Sequence, residues 1–85
     1  MKVDILSKEE MHRTRDISLN IQVEEAGRIH TLSVVMIEEY DSKYKKYSYE
    51  IESFGWITDQ KGIDVKDVEM KIEEYLIDNA EDILS

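Results

Sequence analysis

Ile17-Ser18-Leu19-Asn20-Ile21-Gln22-Val23 places an apolar side chain at every second position. A pleated strand brings such a set to one face, because successive side chains point to opposite sides; a helix would scatter them round its axis. The segment therefore reads as a half-buried strand, and its neighbours must supply the sheet. Glu24-Glu25-Ala26-Gly27 breaks the alternation with a turn residue, as a hairpin requires. A second run begins near Arg28, with Leu32, Val34 and Met36 on one face and Ile29, Val35 and Ile37 on the other. A strand apolar on both faces is a central one, or is partly covered on its second side.

After the polar connection Tyr40-Asp41-Ser42-Lys43-Tyr44-Lys45-Lys46, a third run alternates through Tyr47, Tyr49 and Ile51. Its phase shifts near Ser53-Phe54-Gly55-Trp56, which predicts a bulge that turns Phe54 or Trp56 into the core. The three runs make an antiparallel meander with the second in the middle. Asp64 is a good helix N-cap, and Val65, Val68, Ile72, Tyr75, Leu76 and Ile83 follow at helical steps, predicting a helix from about 64 to 83. Ser7 and Glu10 have capping-box spacing, and Leu6 and Met11 that of a hydrophobic staple, so a short helix is read over 8–13. The rival reading runs the first strand backward through Arg13 and Arg15. The expected fold is α+β: a three-stranded antiparallel sheet, a short N-terminal helix and a long C-terminal helix packed on one face.

With 85 residues, no proline and no repeat, the chain reads as a single domain over 1–85 with one thin core. No cysteine is present, so there is neither a disulfide framework nor a thiolate metal site. No apolar run is long enough for a membrane span, and the N-terminus has no secretory core, which points to the cytoplasm.

Eleven basic against twenty acidic side chains leave a net charge of -9. That argues against direct binding to nucleic acid or to an anionic membrane, since both draw affinity from cations. The charge is uneven. At about 100° per residue, Asp67, Glu74, Asp78 and Glu81 fall on the helix side opposite the core stripe, with Glu73 flanking them. Met70, Ile77 and Leu84, seven apart, run between these acids. A solvated helix face would look much the same. The alternative is a contact surface, with an apolar seam for packing and carboxylates for steering. Glu38, Glu39 and Asp41 offer a second acidic patch. A homodimer through the helix face would oppose like charges unless Lys66 or Lys71 reached across, so a basic partner is electrostatically easier.

Catalytic chemistry finds little support. His12 and His30 have no second histidine at helical spacing, and no HExxH, phosphate loop or nucleophile elbow occurs. The loop from Asp59 has Gly62 at its fourth position, which does not fit an EF-hand. The expectation is no enzyme activity, no cofactor and no metal, with both histidines structural or at the surface. Tyr40, Lys43, Tyr44, Lys45, Lys46, Tyr47 and Tyr49 mix rings and cations as single-strand binders do. Surrounding acids neutralise that field, so cross-strand packing is the better reading of the tyrosines.

The α-β-β-β-α order resembles the double-stranded-RNA-binding domain. That family grips phosphates with lysines at the start of its last helix. Here Asp64, Val65, Lys66, Asp67, Val68 and Glu69 stand in their place and would repel them, so the likeness is one of topology. In size, charge and architecture the chain is similar to phage-encoded inhibitors of host defence, including anti-CRISPR proteins and other DNA mimics. Asp67, Glu73, Glu74, Asp78 and Glu81 carry that likeness, with Glu38, Glu39 and Asp41 as the second patch. It implies a non-enzymatic phage or mobile-element inhibitor whose carboxylates stand in for phosphates before a basic nucleic-acid-binding protein, with Met70 and Ile77 adding apolar contact. The other reading is a small structural or interaction module that self-associates, as a homodimer, through the outer helix face or a free sheet edge.

Overall fold

The computed structural model describes residues 1–11, 16–41 and 43–84. Strands β1 (Lys2–Met11), β2 (Asp16–Glu25), β3 (Arg28–Asp41) and β4 (Lys46–Trp56) form one antiparallel sheet in the order β1-β2-β3-β4. Helix α1 (Val65–Asp78) and the short α2 (Ala80–Leu84) follow. No helix among the described residues is long and apolar enough to cross a membrane.

Three expectations are corrected. The sheet has four strands instead of three, because the N-terminal segment is β1 and forms no helix. Lys8, Glu9, Glu10 and Met11 pair with Leu19, Ser18, Ile17 and Asp16; residues 12–15 of the expected helix and of its rival lie outside the described residues. Capping signals are local, and an isolated helix of two turns is marginal in water. As a strand, the same segment satisfies the outer backbone of β2 and sets Val3 and Ile5 opposite Val23 and Ile21, against the core. The third correction is the long helix, which stops at Asp78. The Asn79 backbone N–H and side-chain Nδ2 both donate to the Tyr75 carbonyl, at 3.1 and 2.8 Å. Such local side-chain bonds compete with helix propagation. Ala80, one helical step of four beyond Leu76, stays in the core, while Tyr75, expected there, is 40% exposed.

The core is one layer between sheet and helix. Leu19, Ile21 and Val23 of β2 and Leu32, Val34 and Met36 of β3 are fully buried beneath Val68, Ile72, Leu76 and Ala80. The β2 alternation thus has its expected role. The opposite sheet face carries no helix among the described residues, which leaves Val35 and Ile37 half-buried and Ile29 exposed. On β4 the register shifts between the Met36↔Ile51 and Val35↔Ser53 pairs, leaving Glu52 as the extra residue. That bulge returns Phe54 and Trp56 to the helix side, opposite Val34 and Leu32, where they pack on the core. Asp64 caps α1, its Oδ1 accepting from the Asp67 N–H at 3.3 Å.

Candidate functional site

The three buried helix residues Val68, Ile72 and Leu76 fix the rotation of α1. Asp67, Met70, Glu73, Glu74 and Asp78 are consequently exposed, and Glu81 is exposed on α2. Their charge is not equally free along the helix. Asp67 Oδ2 lies 3.0 Å from Lys71 Nζ, and the hydrogen bond and charge of Asp67, with a lesser contribution from Glu25, hold the Lys71 ammonium above its ordinary pKa. Glu69 accepts from Trp56 Nε1 at 2.9 Å. Both pairs sit in the N-terminal half. Met70 is exposed, while Ile77 and Leu84 pack partly against the core, so the apolar line at seven-residue spacing is not continuous on the surface.

The C-terminal half faces a cleft. Tyr47, Ser48 and Tyr49 of β4 form one wall, and Ile77, Asp78, Asn79, Glu81 and Asp82 form the other, around about 550 Å³. Glu38 reaches the same place from β3, where it pairs with Tyr49 and accepts its phenolic hydrogen bond. Burial pushes the Tyr49 pKa up, reinforced by the bond and charge of Glu38 and then by Glu81. The C-terminal end of α1 adds the negative pole of its dipole. Carboxylates from β3, α1 and α2 thus converge around phenol rings, an arrangement that attracts cations. On the far side of the helix end, Lys8 Nζ donates to the Ile83 carbonyl at 2.9 Å.

The second expected patch divides. Strand alternation puts Glu38 on the helix-covered face with Met36, whereas Glu39 points to the other face. Asp41 pairs with Lys46 at the end of β3, and its side chain lies outside the described residues. Tyr40 and Tyr47 meet across the strands with ring centroids 4.9 Å apart. The β4 tyrosines and Asp82 were not foreseen as cleft residues; the acidic spacing at 78, 81 and 82 was the available signal for Asp82.

His30 is 2% exposed, and its Nδ1–H donates to the Asp59 carbonyl at 3.1 Å. Its ring meets Trp56 edge-on, with centroids 6.1 Å apart. Those contacts are those of a core histidine; His12 lies outside the described residues. Among the described residues, no group of three His, Asp or Glu side chains is placed to hold a metal ion. Comparison with known proteins adds no relative: no family model, no curated protein and no solved structure matches this chain.

Proposed function

We propose that this chain is a non-enzymatic binding protein that presents an acidic surface to a basic protein partner. The more specific form is a phage or mobile-element inhibitor that mimics nucleic acid before a cytoplasmic nucleic-acid-binding protein. One observation carries the reading: Asp78 of α1 and Glu81 and Asp82 of α2 line one cleft with Tyr47 and Tyr49 of β4. Carboxylates added only for solubility repel one another and spread apart, whereas these converge on one cleft. A further support is the position of Asp78, the last residue of α1, whose last turn holds no basic residue. A negative charge there opposes the helix dipole, so helix stability does not favour it.

The partner side chains suited to this cleft are lysine and arginine, which can sit over a phenol ring and bond to carboxylates. Retention from a bacterial lysate at low salt, followed by a salt gradient, tests the reading. Retained proteins should elute steeply with salt and be displaced by duplex DNA, because exposed charge pairs are screened over about 10 Å at 0.1 M salt. The folded double variant Glu74→Lys/Asp78→Lys should retain far less. Equal retention by that variant, or elution indifferent to salt, defeats the proposal.

A further inference from the structure

We infer that the free edge of β4 is a docking strand for an extended, lysine- or arginine-rich segment of the partner, which adds to the sheet as a fifth strand. The inference rests on the acidic-surface reading and gives it a geometry. The sheet ends at β4, with no strand beyond it among the described residues. An edge strand presents unpaired N–H and C=O groups, and proteins usually blunt such edges. The two edges of this sheet each carry one bulge, between Ile5 and Ser7 on β1 and at Glu52 on β4, and differ in the charge beside them. β1 carries the exposed Lys8, whose ammonium reaches across to the Ile83 carbonyl, whereas β4 borders the carboxylates of Asp78, Glu81 and Asp82. A lysine at the β1 edge opposes a cationic strand there. From Tyr47 to Ile51, β4 keeps a regular register with β3, and its bulge at Glu52 lies beyond that run.

The side chains along this run fit the same role. Tyr47, Tyr49 and Ile51 lie on the helix side, Tyr47 43% exposed and the other two half-buried. A fifth strand would cover their open flank. Every second side chain of that strand would enter the cleft, between these rings and Asp78, Glu81 and Asp82. A cation is the group suited to that position. A second copy of this chain is the rival occupant, and charge disfavours it, because two acidic clefts on chains of net charge -9 would be brought together.

The probe is a synthetic peptide of alternating lysine and threonine, about ten residues long, added to the wild-type protein at low ionic strength. Amide hydrogen exchange should show new protection within Tyr47–Ile51 and none along β1. The same peptide N-methylated at alternate residues keeps its charge but loses the ladder, and should bind about ten-fold more weakly or worse. Equal affinity of the two peptides, or protection along β1, overturns strand addition and leaves the acidic-surface reading standing. Failure of both peptides to bind removes both readings. Protection of β4 that rises with protein concentration alone assigns the edge to a second copy, and the inference is then wrong.

Discussion

Ala26 and Gly27 close the β2–β3 hairpin with φ of 53° and 73°. Two consecutive left-handed residues make the turn whose twist matches the flanking strands, and glycine or asparagine adopts it far more readily than alanine. Ala26→Asn should therefore raise stability by about 0.5–1 kcal/mol, read as a higher denaturant midpoint at an unchanged slope. Tyr49 offers a second residue-scale test. Its folded pKa lies above the ordinary value, so the neutral phenol is favoured in the fold. The associated stability is fully present below about pH 10 and is lost as pH rises through the folded value. Glu38→Gln should lower that value, seen as earlier tyrosinate absorbance in an alkaline titration. If the absorbance curve does not move, Glu38 does not act on Tyr49.

At the scale of the element, α1 divides into an N-terminal half with engaged acids and a C-terminal half that ends with Asp78 at the cleft. Asp67 pairs with Lys71 and Glu69 bonds to Trp56, whereas Asp78 stands at the end of the helix with no basic residue in the last turn. Asp78→Lys removes an unfavourable charge–dipole contact and should stabilise the protein by about 0.3–1 kcal/mol, measured by thermal unfolding. The same variant should lose retained partners. Gain of stability with loss of binding separates a recognition role from a structural one; a variant that is less stable would show that Asp78 serves the fold.

For the molecule as a whole, a chain of 85 residues has one thin core, and α1 supplies its lid. Ile72 is fully buried at the centre of that lid, facing β2 and β3 side chains that are themselves fully buried. Ile72→Ala should cost about 2–5 kcal/mol, a large share of the total for a domain of this size. The expected outcome is a partly unfolded protein at 37 °C by circular dichroism. Ile29→Ala, on the exposed face, should change stability little by comparison.

The amino-acid order alone determined the features that depend on near neighbours. Alternation over 17–23 made β2, the phase shift at 53–56 marked the β4 bulge, and Asp64 began the helix; each rests on backbone geometry within a few residues. The acidic side of α1 was legible for the same reason, since a helix converts spacing directly into angle. Tertiary structure decided the rest. Residues 8–11 hold helix signals worth little by themselves, and pairing with β2 outweighs them by satisfying a whole row of backbone groups. Asn79 ends a periodic pattern that runs on past it, and Tyr75, part of that pattern, is left 40% exposed. Glu38 and Glu39 are adjacent in the chain yet face opposite sides of the sheet. Tyr49 and Glu81 line the same cleft only because the C-terminal helices lie over the sheet there. Contacts between residues distant in the chain are set by which faces can be buried together, and local periodicity carries no record of that choice.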